Sequence, residues 1–309
     1  MKSVLLNNLI GSMLCALAAT SLAAAPASAA SQEAANRNVA LYLTRALLGS
    51  DTTQQVGRYI APHMIAHDPT MANGRSGMLA AIDSLRSALP GYTLTVKHVL
   101  ADRDLVLVQS HLSATPANEM SGLNRIDIYR LDGGQVVEHW SVRGTAPTAS
   151  ASGNSAFSKL YRYAGTPPVI SAEREELHRL MVKGLSEEVF GKQNFGLIER
   201  FWAPGYIQHN PYVGNGRAAL SSVIQYISSP DKSYRVTHAL AERDMTAVCA
   251  HVSDGHGNDF TGGMVCDLYR VANLELVEHW DLYQATPSST VSGNAMVSSL
   301  YSGNRGHGK

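Results

Sequence analysis

The strongest constraint on the fold is an internal repeat. The hexamer VVEHWS at residues 136–141 returns as LVEHWD at residues 276–281, an offset of 140 positions. The stretch HVLADRDLVLVQSHLS at residues 98–113 likewise matches HALAERDMTAVCAHVS at residues 238–253. A repeat of this length is too long for one unit of a solenoid, so the sequence predicts a tandem duplication of a complete domain.

The join between the two copies lies in AGTPPVIS, residues 164–171, where Gly and Pro are typical of a linker. We therefore predict a first domain over residues 31–165 and a second over residues 166–309. The length of 309 residues agrees with two domains. Basic and acidic residues number 25 each, so the chain lacks the charge surplus that nucleic acids or anionic membranes attract.

Each copy reads as helices followed by strands. REELHRLMVKGLSEEVF at residues 174–190 has apolar residues near helical spacing, and four alternating or apolar runs separated by turns follow later in the copy. Helices first and strands afterwards predict an α+β fold. We expect a curved antiparallel sheet wrapped on the N-terminal helices, which makes a cone with one open end.

The first 30 residues resemble an export signal. Lys2 precedes an apolar stretch over residues 4–22, and Ala27 and Ala29 form the small-residue pattern that a signal peptidase accepts. A membrane anchor is the alternative, which two asparagines and the clustered alanines disfavour. We therefore predict cleavage near Ala29 and a periplasmic or secreted protein.

Four motifs together resemble a known family. YIQHNP, AVCAHV, DLYRV and LVEHWDLYQ, in this order, are similar to the SnoaL-like polyketide cyclases of the nuclear transport factor 2-like superfamily, in particular its predicted aldol-condensation group. The resemblance covers residues 59–147 and 201–287. It implies acid/base chemistry without metal or cofactor on a small carbonyl compound, such as aldol-type cyclisation, isomerisation or dehydration. The superfamily also contains pure binding modules, so the fold alone restricts function weakly.

The resemblance also implies particular site residues. Cyclases of the family use an aspartate as acid and base, helped by a histidine and an amide on the neighbouring strand. The residues that match these roles are Asp127, His111 and Gln109 in the first copy and Asp267 and His251 in the second. Cys249 stands where the second amide should be, so we expect the first copy to have the more complete set.

The residues themselves are consistent with proton transfer. In both copies the histidine precedes the aspartate by the same interval, as His111 precedes Asp127. If both side chains face an apolar cavity from adjacent strands, burial raises the carboxyl pKa and the pair can exchange a proton. The alternative is a structural aspartate bonded to backbone or to an arginine such as Arg130 or Arg270. An Asp paired with Arg would favour binding, and a desolvated Asp beside His would favour catalysis.

Further polar and aromatic residues are candidates for binding the substrate. A residue before proline is held extended, so the turns before Pro69 and Pro211 could aim side chains into the cone mouth. Alternation along the Glu-His-Trp strand does not decide which face is the pocket; we expect Trp inside and His139 and His279 outside. The complete predicted binding set is Gln109, His67, Asp68, Trp140, His209, Asn210, Trp280 and Gln284. No histidine spacing typical of a metal site occurs, so we predict no metal.

The expected partner is a small apolar or aromatic carbonyl compound. The rival interpretation is a binding module that holds an apolar metabolite without turnover, or a pseudo-dimeric scaffold. In either case we expect the two copies to form an internal pseudo-dimer, with the stretches AFSKLY and AMVSSLY forming helical ends that bury the contact.

Two cysteines remain after the signal. If His251 and Asp267 share the pocket face, Cys249 faces the pocket and Cys266 faces away. Cysteines on opposite faces cannot reach the Cβ separation of a disulfide. The sequence therefore predicts two free thiols.

Overall fold

The structure is a computed structural model that describes residues 27–227, 231–254 and 257–302. Most of the predicted signal peptide, residues 1–26, lies outside the described residues. Among the described helices, none combines the length and apolarity that a bilayer crossing needs.

The first domain contains three helices and five strands. In chain order they are α1 (Ala27–Ala46), α2 (Thr53–Gly57), β1 (Ile60–Ala66), α3 (Gly74–Ala88), β2 (Thr93–Asp102), β3 (Leu105–Ser113), β4 (Leu123–Asp132) and β5 (Gln135–Thr145). A capping box between Thr52 and Gln55 begins α2, since each side chain binds the other residue's backbone N–H. Met78 and Ile82 on α3 face the core.

The second domain repeats this order. Its elements are α4 (Ala172–Ser186), a π-helical turn (Glu187–Gly191), a 3₁₀ turn (Phe195–Leu197), α5 (Ile198–Phe201), β6 (Trp202–Gln208), α6 (Arg217–Ile227), β7 (Ser233–Glu242), β8 (Met245–Ser253), β9 (Gly263–Ala272) and β10 (Glu275–Ala285). Ser171 caps α4 by accepting from the backbone N–H of Arg174.

The two sheets have the same topology, β1-β5-β4-β3-β2 and β6-β10-β9-β8-β7. Each domain is therefore the expected α+β type, but the sheets are mixed and not purely antiparallel, because β1 runs parallel to β5 and β6 parallel to β10. We had not predicted β1 and β6. Each contains a proline, Pro62 or Pro204, which is tolerated because these strands lie at the sheet edge.

The concave face of each sheet packs on its own helices. Register shifts in β2 between Val96 and His98, and at the end of β4, bend the first sheet around this core. The buried residues of the first cone come from helices and strands alike and include Leu43, Met64, Met78, Ile82, Val106, Val108 and Tyr129. The sheet thus forms the predicted cone.

The other face of each sheet is buried as well. One hydrophobic core draws residues from both domains, among them Leu107, Ile126, Ile128 and Trp140 from the first and Ala247, Cys266, Leu268 and Trp280 from the second. The two sheets therefore pack face to face within one chain, as expected of an internal pseudo-dimer. Each sheet has two buried faces, a cone face and an interface face.

The segments that follow β5 and β10 cross to the opposite domain. After β5, Asn154 donates to the Gln208 carbonyl and the Leu160 N–H to Glu278. After β10, Asn294 donates to the Ala66 carbonyl and the Leu300 N–H to Glu138. These segments, which include AFSKLY and AMVSSLY, bury the contact as predicted, but they are irregular and not helical.

Two buried histidines make reciprocal contacts across the interface. The His98 ring lies 4.4 Å from the Trp280 ring, and the His238 ring lies 4.4 Å from the Trp140 ring, as measured between centroids. Burial lowers the pKa of both histidines to about 3, and the nearby Lys159 and Arg130 respectively add to the effect. Both rings are therefore neutral in the folded protein at ordinary pH.

These histidines predict how stability depends on pH. The unfolded chain protonates them below pH 6.5 while the folded protein does not. The free energy of unfolding should therefore decrease as pH falls from 6.5 to 5, by up to about 1.4 kcal/mol per pH unit for each histidine. When the free energy of unfolding is measured with urea at each pH, it should depend less steeply on pH in the double variant His98→Gln/His238→Gln. The exposed His63 is the control, and a His63→Gln variant that flattens the slope equally would contradict the assignment.

Candidate functional site

The strand register decides which side chains enter each cone. Asp127 lies directly opposite Val108, and both face the first cone. His111 lies opposite Asn124, three residues from Asp127's partner on β3, and therefore faces the interface. In the second domain the same register pairs Val248 with Asp267. The predicted pairs His111–Asp127 and His251–Asp267 are therefore wrong, although both aspartates do face a cone.

The cysteines follow from the same register. Cys249 lies directly opposite Cys266, so the two side chains share the interface face. They form a disulfide. The predicted free thiols are wrong because the prediction rested on placing His251 and Asp267 on one face.

The histidines on β3 and β8 have structural partners at the interface edge. His111 is fully buried, its Nε2 is 2.6 Å from the Ser121 carbonyl oxygen, and its ring packs on Phe157. His251 Nε2 is 2.8 Å from the Thr261 carbonyl oxygen. Both rings therefore hold the loop that joins their strand to the next.

Four other residues of the predicted binding set also lie on the interface side. Gln109 accepts from His98 Nδ1 and donates to Asn124. The Trp140 indole donates to the Ser298 carbonyl, and the Trp280 indole donates to the Ser158 carbonyl. Gln284 accepts the backbone N–H of Arg143 in the other domain. The expectation that Trp lines the pocket and His packs outside is wrong.

The repeated Glu-His-Trp motif instead holds the crossed segments. Glu138 is fully buried and accepts from the Leu300 N–H, and it also contacts His67 and Arg130. The pKa of Glu138 lies below its ordinary value because these partners outweigh the effect of burial. In the second domain, His209, Arg270 and the Leu160 N–H bind Glu278 in the same way. His67 and His209 therefore do not point into the cone mouths.

In the first cone, an arginine holds Asp127. Arg125 donates from Nε to Oδ2 over 2.7 Å and from Nη2 to Oδ1 over 2.6 Å, which is a bidentate pair. His139 Nε2 lies 2.9 Å from the same Oδ1. Burial favours the neutral acid, but Arg125 and His139 hold the pKa of Asp127 below its ordinary value. Asp127 is therefore a carboxylate.

The second carboxylate of this cone is Asp68. Ser141 donates to its Oδ2 over 2.6 Å, and Arg143 donates to its Oδ1 over 3.0 Å. Burial opposes the charge, but Arg125, Arg143 and Ser141 hold the pKa of Asp68 well below its usual range. The predicted binding residue Asp68 thus does lie in the cone, as part of an Arg–Asp network.

The proton between His139 and Asp127 can be placed. Since Asp127 is a carboxylate, His139 Nε2 must donate to it. The other ring nitrogen, Nδ1, is buried and makes no hydrogen bond with any described residue. His139 is therefore held with its proton on Nε2, and the first cone offers no spare proton.

In the second cone the equivalent pair is His279 and Asp267, and here the hydrogen bonds require a proton on the other ring nitrogen, Nδ1. Gln208 Oε1 accepts the backbone N–H groups of His209 and Asn210, each over 2.9 Å, which fixes the orientation of its amide. The same oxygen lies 2.7 Å from His279 Nδ1, and a carbonyl oxygen only accepts, so Nδ1 carries a proton. His279 Nε2 lies 2.9 Å from Asp267 Oδ1. A second proton must lie between them, on the imidazole or on the carboxyl.

In the part of the chain that the structure describes, no arginine forms an ion pair with Asp267. Val265 and Tyr283 occupy the positions of Arg125 and Arg143. Among the described residues, only His279 forms a hydrogen bond to Asp267, through Oδ1, so Oδ2 has no partner there. Asp267 is 6% exposed, so most of this residue is buried.

A second carboxyl lies beside the pair. Asp281 is directly opposite Asp267 on the paired strand, and Asn210 donates to its Oδ2 over 2.5 Å. Burial raises the pKa of Asp281 above its ordinary value, and the like charge of Asp267 adds to the effect, against His279 and Asn210. The predicted binding residue Asn210 thus lies in the cone, where it orients this carboxyl.

The same three side chains are the group that could hold a metal ion in the described part of the chain. Asp267, His279 and Asp281 each offer one ligand atom, and these atoms lie within 4.8 Å of one another. Carboxylate oxygen and imidazole nitrogen are common ligands of first-row divalent metals. This group could not be predicted from the sequence because its members lie on paired strands and not at a recognised spacing.

Tyrosines wall the second cone around His279. The rings of Tyr269 and His279 stack with centroids 4.7 Å apart, and Tyr206 lies on the imidazole as well. Burial raises the pKa of Tyr206, Tyr234 and Tyr269 well above the ordinary value, and the charge of Asp267 adds to it. These phenols remain neutral, and the rings of Tyr206 and Tyr269 pack on His279.

The sequence analysis missed His139, His279, Arg125, Gln208 and Asp281 as cone residues. The two cysteines could have identified the histidines, since a disulfide between them requires Asp267 to face away from His251. Asp281 on β10 lies directly opposite Asp267, and His279 is two residues before Asp281 on the same strand. The side chains of His279 and Asp267 therefore lie on the same face of the sheet.

Comparisons with known proteins agree with this architecture. A family model described as SnoaL-like polyketide cyclase matches residues 38–150, and one described as SnoaL-like domain matches residues 182–279. None of the curated proteins matches the chain.

Solved structures that resemble the chain each cover about one domain. They include a protein proposed to be an isomerase of the SnoaL-like family from Agrobacterium tumefaciens, at 17% identity over 36% of this chain and 98% of that one, with a TM-score of 0.31. A proposed polyketide cyclase from Acidithiobacillus ferrooxidans has 17% identity over 35% and 87%, with a TM-score of 0.30. TsrD from Streptomyces laurentii has 20% identity over 36% and 88%, with a TM-score of 0.30.

The two family matches fall on the two copies of the repeat, and each copy has the mixed five-stranded sheet and helices described above. The chain is a tandem of two SnoaL-like domains.

Proposed function

We propose that the second domain catalyses proton transfer on a small carbonyl compound without a cofactor, in an aldol-type cyclisation, isomerisation or dehydration. The observation that carries the proposal is the contact of His279 with Asp267. Gln208 requires a proton on Nδ1, so His279 and Asp267 share another proton, and no arginine of the described residues forms an ion pair with Asp267. General acid/base catalysis needs a positioned group that can exchange a proton with the substrate.

The geometry supports distinct roles for the two carboxyls. Asp267 Oδ2 is the oxygen that has no partner among the described residues, so it is the group that would take a proton from the carbon beside the carbonyl. Burial raises the pKa of Asp281, so this carboxyl is the one that would donate to the developing enolate oxygen. His279 positions Asp267 and holds the shared proton, and Asn210 positions Asp281.

The first domain favours the rival function, binding without turnover. Its aspartate is paired bidentately with Arg125 and stays ionised, so it is a weak base. The Nε2–H of His139 donates to Asp127, and its Nδ1 makes no hydrogen bond with the described residues. We had expected the first copy to have the more complete set of cyclase-like residues, because Gln109 was predicted to lie in its cone. Gln109 lies on the interface side, and the proposal assigns catalysis to the second copy.

The catalytic assignment predicts different effects for equivalent substitutions. The probe is cyclohex-3-enone, whose isomerisation to the conjugated ketone is followed by ultraviolet absorption. Asp267→Asn keeps the shape but removes the base, and should lower kcat/KM by at least about a hundredfold. The matched Asp127→Asn should change it by less than about threefold.

Circular dichroism of Asp127→Asn controls for unfolding, because this change leaves Arg125 buried without its partner. An unchanged rate in Asp267→Asn would contradict the assignment and leave binding as the better account. Chelation with EDTA tests whether the reaction needs a metal ion. Metal-free chemistry predicts the same rate after chelation, whereas a loss restored by added metal would assign Asp267, His279 and Asp281 as ligands.

We also propose that the protein acts outside the cytoplasm, after removal of residues 1–29. The export-like N-terminus supports this, and so does the Cys249–Cys266 disulfide, since such bonds persist in oxidising compartments. N-terminal sequencing of protein from a periplasmic extract or culture medium should therefore begin near Ala30. An intact Met1 on cytoplasmic protein would contradict export.

A further inference from the structure

A pocket of about 480 Å³ lies between α3 and the cone-facing ends of β4 and β5 in the first domain. Its walls are mainly apolar and include Leu47, Met71, Ile82 and Leu85. Its polar end is formed by Asp68, Arg125 and Arg143. The volume is that of an ordinary small-molecule site.

An adjoining pocket of about 330 Å³ shares part of this lining. Leu85, Arg125 and Arg143 border both spaces. Arg125 and Arg143 therefore line the space that a ligand would occupy, although Arg125 is only 4% exposed.

The acceptors at the polar end are already in use. Asp68 Oδ1 accepts from the backbone N–H and hydroxyl of Thr70, each over 2.8 Å, as well as from Arg143. Its Oδ2 accepts from Ser141. Both oxygens of Asp127 accept from Arg125. A ligand that mainly donates hydrogen bonds would find few free acceptors here.

Donors, in contrast, are in surplus. Arg143 uses Nη2 for Asp68 and Thr70, and its Nε and Nη1 make no hydrogen bond with any described residue. Arg125 uses Nε and Nη2 for Asp127, which leaves Nη1 without a hydrogen bond to the described residues.

The neighbouring charges shift the pKa values of Arg125 and Arg143 in opposite directions. Burial opposes the charge of Arg125, but Asp127 and Asp68 raise its pKa above the ordinary value. Burial lowers the pKa of Arg143 despite Asp68, and Arg125 adds to the lowering. Arg143 is thus the cation whose charge is least compensated and which an added anion would stabilise most.

We propose that this pocket binds a small monocarboxylate with an apolar body, and that Arg143, supported by Arg125 Nη1, receives the carboxylate. The planar guanidinium matches a planar carboxylate, and apolar walls suit the remainder of the molecule. Two arginines and two aspartates make the polar end formally neutral, so a ligand with one negative charge is tolerated better than a ligand with two. This inference rests on the proposal that the first domain binds without turnover and does not depend on catalysis in the second.

The duplication supplies a matched control. Val265 and Tyr283 replace Arg125 and Arg143 in the second domain, so the repeat has no equivalent pair of guanidinium groups. Tyr283 is 55% exposed, and its replacement tests a substitution at the same place in the fold without removing a cation.

Isothermal titration calorimetry on the full chain tests the proposal. The probes are 3-phenylpropanoate and octanoate, with 3-phenylpropan-1-ol and octan-1-ol as uncharged analogues. We expect the carboxylates to bind at least about tenfold more tightly than the alcohols, because charge-assisted bonds to arginine are lost with the alcohols. Arg143→Gln should remove this preference, whereas Tyr283→Gln should retain it.

A second variant locates the ligand. Leu85→Trp narrows the pocket but leaves both arginines, and it should weaken carboxylate binding by at least about tenfold. Equal affinity for acid and alcohol, unchanged affinity in Arg143→Gln, or no saturable binding of either carboxylate at about 10 mM would overturn the proposal. Loss of isomerase activity in Asp267→Asn with unchanged carboxylate affinity would show that the two sites are independent.

Discussion

The pairing register of β8 with β9, and of β3 with β4, is the constraint on which the sites depend. Each of these sheets is buried on both faces, one against its helices and one against the other sheet. A shift of one residue would exchange the two sets of side chains. The Cys249–Cys266 bond joins directly opposite residues of β8 and β9 and thereby fixes the register that sends Asp267 into the cone.

With the backbone fixed in this way, a few side chains give the two cones different chemistry. Arg125 in the first domain becomes Val265 in the second, and Ala66 becomes Gln208. The first change removes the cation that keeps the aspartate ionised, and the second adds an acceptor that turns the histidine proton toward Nδ1. Duplication thus gives one cone an arginine-paired aspartate and the other an aspartate that shares a proton with histidine. The crossed segments, held by Glu138 and Glu278, keep both cones in one folded unit.

The repeat, the α+β class, the internal pairing and the cone-facing aspartates could be predicted from the sequence, because they follow from long matching segments and their order. The histidine that contacts each aspartate, His139 or His279, could not be predicted from the sequence. Alternation of polar and apolar residues identifies a face only when one face is exposed, and here Trp140 and His139 are both buried on opposite sides. The same ambiguity placed His111 and Gln109 in the cone. β1 was missed because its proline is unusual in a strand, and the crossed segments because their partners are remote in sequence.

His139 and His279 are equivalent in the repeat, but only His279 has an acceptor that requires a proton on Nδ1. Nitrogen-15 NMR of imidazole-labelled protein at neutral pH, assigned with His139→Gln and His279→Gln variants, measures this directly. From the hydrogen bonds we expect a proton on Nε2 and none on Nδ1 of His139, and a proton on Nδ1 of His279. The same Nε2-protonated neutral tautomer for both rings would contradict this expectation.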